Sequence, residues 1–239
     1  MRYIYDSYTE IGGRAENEDS IAVTACGNNV IAVVADGLGG QGDGKTASQS
    51  VCESLLCCGR DGTFPSEEAL CRAFEEANRA LMQKQSNRFH MKSTATYLCL
   101  QGSRAVWAHV GDSRLYHLYE GKICDYTIDH SASQLAVFMG LIQREEIPGD
   151  AGRSRLLRAM GVEDTAADVH EAIELRPGRH GFLLCSDGLW EYLTDEEIEQ
   201  SFQRSSTASA CLRQLRESRE KKAPADGDNN SGIAILLEV

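Results

Sequence analysis

The chain has 239 residues, 42% hydrophobic and 25% charged, which suits one domain whose core buries about 70–75% of the unfolded surface. Its formal net charge of −12 excludes nucleic acid and acidic membrane as partners, since both are met first through cationic patches. No apolar run is long enough to span a bilayer, MRYIYDSYTE lacks signal-peptide features, and nine scattered cysteines without a CxxC pair suggest buried free thiols, so we expect a cytoplasmic protein without disulfides.

Apolar runs and alternation predict short strands over 2–8, 20–25 and 30–35. A helix is expected over 45–58, with Val51 and Leu55 inward, and a longer one over 66–84. In the latter, Leu70, Phe74, Ala77 and Leu81 recur at helical spacing behind Ser66 and the acidic pair Glu67 and Glu68. Strands over 94–101, 104–110, 113–119 and 122–127 follow one another through the turns Gln101-Gly102-Ser103, Gly111-Asp112 and Glu120-Gly121-Lys122. These turns leave no room for crossover helices, so the stretch reads as an antiparallel meander.

Residues 131–161 mix helical pieces with Gly140, Pro148, Gly149 and Gly152 between two acidic motifs, and we read them as a flap over a site. Beyond them come strands over 168–175 and 181–186, a helix behind the capping-box pair Thr194 and Glu197, and a helix over 207–219. A polar loop over 220–231 leads to a last strand over 232–238. The expected class is α+β, a single domain over 1–239 with helices grouped against antiparallel sheets.

Four aspartates stand where strand-like runs stop, each beside glycine or asparagine: Asp36 in VVADGLGG, Asp112 in AHVGDSR, Asp187 in FLLCSDGLW and Asp228 in DGDNNSG. Carboxylates on rigid strand ends converge without collapsing, and they repel one another unless a cation sits between them. Oxygen donors without a set of histidines or cysteines suit Mg²⁺ or Mn²⁺ rather than Zn²⁺. Near the amino terminus, RAENED adds Arg14, suited to gripping a phosphoryl group, and Glu18 and Asp19, suited to a metal shell.

The order RAENED, ADGLGG, GDSR, SDGLW and DN over residues 14–229 resembles the metal-dependent serine/threonine phosphatases of the PPM (type 2C) family, in its compact bacterial form. The resemblance implies a sandwich of two antiparallel sheets flanked by helices. It also implies that Asp36 bridges two metals, with the Gly37 carbonyl on one and Asp187 and Asp228 on the other. Glu18 and Asp19 would complete the shell, Asp112 with Asp187 would form a weaker third site, and Arg14 would bind the substrate phosphate. Arg14, Asp36 and Asp187 are thus the catalytic candidates, and Mn²⁺ or Mg²⁺ the cofactor. The implied reaction is hydrolysis of phosphoserine and phosphothreonine in proteins by a metal-activated water. A monomer acting on phosphoproteins, opposite a serine/threonine kinase, is expected. Residues 127–131 (TIDHS), Met139-Gly140 and Leu157-Arg158-Ala159-Met160-Gly161 resemble landmarks around the bacterial flap. Two departures stand out: Leu38 where some members carry histidine, and Lys92-Ser93-Thr94 where Gly-Thr-Thr is usual.

Two other functions compete. Residues 39–46 (GGQGDGKT) satisfy the phosphate-loop pattern and Phe182–Asp187 mimics a Walker B strand, but such a domain needs parallel strands joined by crossovers. An inactive interaction module on the phosphatase fold would show a broken acidic motif, and none is broken. His109 reads as a hydrogen-bonded structural histidine, Trp107 and Trp190 as core or groove walls, and Cys185 as a buried strand residue. Lys45 is expected to face solvent.

Overall fold

A computed structural model describes residues 2–38, 43–85 and 90–239. The strands are β1 (Tyr3–Glu10), β2 (Asp19–Cys26), β3 (Asn29–Leu38), β4 (Lys92–Ser93), β5 (Ala95–Gln101), β6 (Arg104–Val110), β7 (Arg114–Tyr119), β8 (Lys122–Tyr126), β9 (Asp168–Val169), β10 (Ile173–Glu174), β11 (Arg179–Cys185) and β12 (Asn230–Glu238). The helices are α1 (Asp43–Leu55), α2 (Glu67–Lys84), α3 (Ala132–Phe138), α4 (Asp187–Trp190), α5 (Asp195–Arg204) and α6 (Ala208–Glu220). One sheet runs in the order β1-β12-β11-β7-β8 and the other β10-β6-β5-β3-β2, with β4 on β3 and β9 on β6. Every strand pairing among the described residues is antiparallel.

The unbroken apolar run of β3 follows from its place between two layers. Val30, Ala32 and Val34 point between the sheets, where they meet Leu98, Trp107, Phe182, Leu184 and Ile233. Ile31, Val33 and Ala35 point the other way, onto Val51 and Leu55 of α1 and Leu70, Phe74 and Leu81 of α2. The first sheet is covered likewise, with Leu183, Ala234 and Leu236 against Ile198 and Phe202 of α5 and Leu212 of α6. The result is a helix–sheet–sheet–helix stack in which each fully buried large aliphatic or aromatic side chain contributes about 1.5–3 kcal/mol. The α2 and α5 starts form as their sequences require: Ser66 accepts from the Ala69 N–H at 3.2 Å, and Thr194 and Glu197 form a reciprocal capping box.

Several expectations need correcting. The stretch from 94 to 127 is not one meander. It is two hairpins in different sheets, β5–β6 in the second and β7–β8 in the first. The chain crosses between sheets at Gly111-Asp112, and the reason is local: Gly111 has φ +101°, a backbone that no side-chain-bearing residue adopts readily. The strand expected over 168–175 is two two-residue pieces, interrupted where the His170 ring turns to stack on Trp107 at 3.9 Å. The first helix ends at Leu55 rather than 58, giving way to turns before Gly59. Residues 131–161 hold α3 and a 3-10 turn over Arg144–Gly149. The cysteines are free, but Cys57, Cys71 and Cys124 are exposed, not buried.

A methyl group at Gly111 would meet the Thr94 side chain at 2.7 Å as well as strain the backbone. Gly111→Ala is expected to lower unfolding free energy by about 1–3 kcal/mol, read as a reduced denaturant midpoint at unchanged slope.

Candidate active site

The five acidic motifs gather on the same side of the stack because β3, β6 and β11 end there and β2, β7 and β12 begin there. Asp36 lies near the end of β3, directly across from Asp19 at the start of β2. Its backbone is fixed by Ser93 and Thr94: the Asp36 N–H donates to Thr94 Oγ1 at 2.9 Å, and its carbonyl accepts from the Thr94 N–H at 2.8 Å and Ser93 Oγ at 2.9 Å. The departure Lys92-Ser93-Thr94 therefore still supplies hydroxyls to the Asp36 turn. Gly37 is required by close approach, since a methyl there would fall 2.0 Å from the Gly44 carbonyl oxygen.

Asp187 opens α4 immediately after β11, and Asp228 precedes β12. Arg219 of α6 donates to the Gly188 carbonyl at 3.0 Å and the Asp228 carbonyl at 3.2 Å, joining the two loops. Asn229 staples the amino-terminal loop to the same place, accepting from the Glu18 N–H at 2.8 Å and donating to the Ile11 and Glu16 carbonyls. Asp112 sits at the crossing between sheets, its carbonyl held by Trp190 Nε1 at 2.9 Å.

Arg14, Glu18, Asp36, Gly37, Asp112, Asp187 and Asp228 line a single cavity of about 700 Å³, together with Leu38, Ser154 and Leu156. Asp19 is the exception. It is buried behind the cavity, with Oδ2 accepting from Ser186 Oγ and Ser231 Oγ at 2.7 Å each. Arg14 stands at the exposed mouth and donates to Asp228 Oδ2 at 2.7 Å.

The electrostatics are those of crowded acids. Burial, then the neighbouring Asp19, Asp187, Asp112 and Asp228, holds the Asp36 carboxyl well above the usual carboxylate range. Asp112 is raised likewise by burial and Asp187. Asp187 is pushed up to about 7 by burial and by Glu191, Asp228 and Asp19. Asp19 rises to about 6 through burial, against the pull of its two serine bonds. Buried Asp19 Oδ1 and Asp187 Oδ1 have no hydrogen-bond partner. Orphaned carboxylate oxygens in an all-oxygen cavity are what a hard divalent cation satisfies, so the donor set fits Mg²⁺ or Mn²⁺.

Lys45 does not face solvent as expected; its Nζ donates to the Asp19 carbonyl at 2.7 Å. Beside it, Ser48 Oγ donates to the Glu18 carbonyl, so α1 fastens the Glu18–Asp19 turn. Residues 39–42 of the phosphate-loop pattern lie outside the described residues. Its strand, β3, nonetheless has antiparallel neighbours on both sides, which a phosphate-loop domain excludes. His109 is a buried structural histidine, with Nε2 2.8 Å from the Ile128 carbonyl, and Trp107, Trp190 and Cys185 are core residues. Sequence reading missed Ser186, Ser231, Asn229 and Arg219. Ser186 and Asn229 had a visible signal, standing directly beside Asp187 and Asp228, whereas Ser231 lies three residues past Asp228 and Arg219 sits in the last turn of α6, with no local pattern to mark either.

A two-sheet sandwich carrying a cavity of converging carboxylates defines a scaffold suited to holding divalent cations, and comparison with known proteins narrows it. The family profile described as protein phosphatase 2C matches residues 9–223. The chain belongs to the protein phosphatase 2C family. It is 33% identical over 206 residues to the serine/threonine protein phosphatase PstP of Mycobacterium tuberculosis, an alignment covering 84% of this chain but only 38% of that protein's length. The crystal structure of the Mycobacterium tuberculosis serine/threonine phosphatase PstP/Ppp superposes with a TM-score of 0.86 at 29% identity, covering 99% of each chain. A PstP catalytic domain in complex with 2 manganese ions matches with a TM-score of 0.83 at 28% identity, again over 99% of each chain.

A carboxyl whose pKa is raised on folding binds more protons folded than unfolded, so it lowers stability as pH climbs from its ordinary value of 3.8 to about 7, the window of Asp187. A bound cation takes the place of those protons. The gain in melting midpoint from added Mn²⁺ over chelator is therefore expected to grow as pH rises through that window. Lys45→Met is expected to cost about 1 kcal/mol in chemical denaturation, for one lost bond to the Asp19 carbonyl. The parent protein should show no binding of ATP by calorimetry.

Proposed function

We propose that the protein hydrolyses phosphoserine and phosphothreonine esters in other proteins, using Mn²⁺ or Mg²⁺ held at the carboxylate cavity. The observation that carries this reading is the convergence of Asp36, Asp187 and Asp228 with Arg14 on one cavity, in a chain whose relatives bear serine/threonine phosphatase names. Asp36, the Gly37 carbonyl, Asp187 and Asp228 would hold two ions, as in the two-manganese PstP domain, with Glu18 and Asp19 supporting that shell. Asp112 with Asp187 would hold a third, weaker one. Divalent cations held there supply positive charge opposite the phosphoryl oxygens and lower the pKa of water.

The chain's own residues do the positioning. Arg14 presents a guanidinium fork at the mouth, able to take two phosphoryl oxygens once a substrate competes with Asp228 for it. The braces on Asp36, Asp187 and Asp228 hold the acids in place without supplying positive charge of their own at the carboxylates, except for Arg14. Leu38 lines the cavity where some family members carry histidine, so the leaving serine or threonine oxygen would take its proton from another donor, for which a metal-held water is the candidate. Ser154 and Leu156 form one wall, which supports reading 131–161 as a flap, and Arg153 Nε ties that segment to Glu191 at 2.7 Å. A kinase opposing the reaction, a cytoplasmic setting and a monomeric state complete this reading and rest on sequence alone.

Release of phosphate from a phosphothreonine peptide is expected with Mn²⁺ or Mg²⁺ and not in chelator. Asp36→Asn and Asp187→Asn should abolish it while leaving the fold intact by circular dichroism. Arg14→Ala should mainly raise KM, by about ten-fold or more, as loss of a charge-assisted pair implies. Full turnover in chelator would overturn the assignment.

A further inference from the structure

Outside the cavity lies a second group of titratable side chains, His109, His130 and Asp168, whose candidate ligand atoms fall within 4.8 Å of one another. Their hydrogen bonds show that they are not wired for an ion. The Gly111 N–H can only donate, and it meets His130 Nδ1 at 3.1 Å, so that nitrogen accepts and the ring proton sits on Nε2. That proton faces Asp168 Oδ2 at 3.0 Å, leaving no lone pair for a metal, and the open side is filled by Arg158, which bonds Asp168 Oδ1. Burial lowers the proton affinity of the His130 ring, against the pull of Asp168.

What His130 does hold is the turn next to Asp112. Its backbone N–H donates to the Gly111 carbonyl at 2.9 Å while its ring accepts from the Gly111 N–H, so both polar groups of Gly111 are taken by one residue. Its own carbonyl accepts from the Leu157 N–H at 2.7 Å, one residue past Leu156 of the cavity wall. The ring is kept flat against His109, centroids 4.6 Å apart and planes 17° apart. A residue that clamps the Gly111-Asp112 turn on one side and the Leu156–Arg158 arm on the other couples the two.

The geometry points to His130 as a positioning residue that sets Asp112 in the cavity and ties it to the segment covering the site. This rests on the assignment of Asp112 to the reaction made above. His130→Gln offers an amide toward Asp168 but withdraws the acceptor from Gly111, whereas His130→Asn keeps an acceptor near Gly111 and gives up Asp168. The expected result with a phosphopeptide and saturating Mn²⁺ is a kcat lowered about ten- to hundred-fold in His130→Gln, with KM and the two tight ions seen by calorimetry unchanged, and a smaller loss in His130→Asn.

The deciding measurement is a double-mutant cycle. In an Asp112→Ala background His130→Gln should lower kcat little further, because the residue it acts through is gone. Equal losses in both backgrounds, or an unchanged kcat in the folded single variant, would overturn the inference while leaving the role of Asp112 standing. An Asp112→Ala variant with full kcat would remove that role and the inference with it. If His130→Gln does not fold, Asp168→Asn, at a partly exposed carboxyl that orients the ring, reads the same coupling.

Discussion

Repulsion among carboxylates that folding places together is the constraint around which the molecule is arranged. Burial and like charge both raise the proton affinity of Asp36, Asp112 and Asp187, so the fold holds these acids together against their own electrostatics. Nothing in a flexible loop could hold acids in that arrangement. Here two packed sheets do, and the braces nearest the acids are mostly neutral: the Ser93, Ser186 and Ser231 hydroxyls donate, while the Thr94 hydroxyl accepts from the Asp36 N–H and the Asn229 amide oxygen from the Glu18 N–H. Neutral braces fix geometry without neutralising the negative potential that draws a cation in. Arg219, a buried cation beside the Asp187 and Asp228 loops, is directed at backbone carbonyls rather than carboxylates.

Because Asp19 and Asp36 belong to one sheet and Asp187 and Asp228 adjoin the other, the apolar contact between sheets is itself part of the site. Val34, Leu184 and Ile233, all buried between the sheets, set how far apart the two pairs of acids stand. A change of side-chain volume there would alter cavity geometry without touching a polar atom. Asp112 bridges the two halves, and its turn is gripped from three directions, by Thr94 through Ser113 Oγ, by Trp190 and by His130.

Much of this was legible from sequence, and unevenly. Strand ends marked by ADG, GDS, SDG and DNN announced the acids, since glycine and asparagine beside a carboxylate signal both a turn and room for a ligand. The helix over Glu67–Lys84 was plain from its spacing and cap. What misled was the run from 94 to 127, where short turns exclude crossover helices but say nothing about which sheet each hairpin joins. Only the positive φ of Gly111 reveals the change of sheet, and backbone sign is not written in residue type beyond the presence of a glycine. Lys45 was misjudged because a first-turn lysine ordinarily faces water, whereas here a backbone carbonyl of the Glu18–Asp19 turn lies within its reach. Arg219 illustrates the general limit: its partners are 9 and 31 positions away along the chain, and no local pattern joins them.

The position of β12 has a consequence for how the chain reaches this state. It lies inside its sheet, between β1 and β11, and pairs with both over most of its length. During synthesis β1 therefore emerges early and waits, unpaired on that edge, until residues 230–238 follow. The pairing from Tyr3 to Leu237 spans nearly the whole chain and carries the entropy of closing that loop, which places sheet completion late in folding. The second sheet, built from β2, β3, β5 and β6 with α1 and α2 packed on it, has far more local contacts and is the natural early nucleus. Half of the acids would then be in place before the rest arrive, so the chain gathers its full complement of repelling charges only at the step that locks the sandwich.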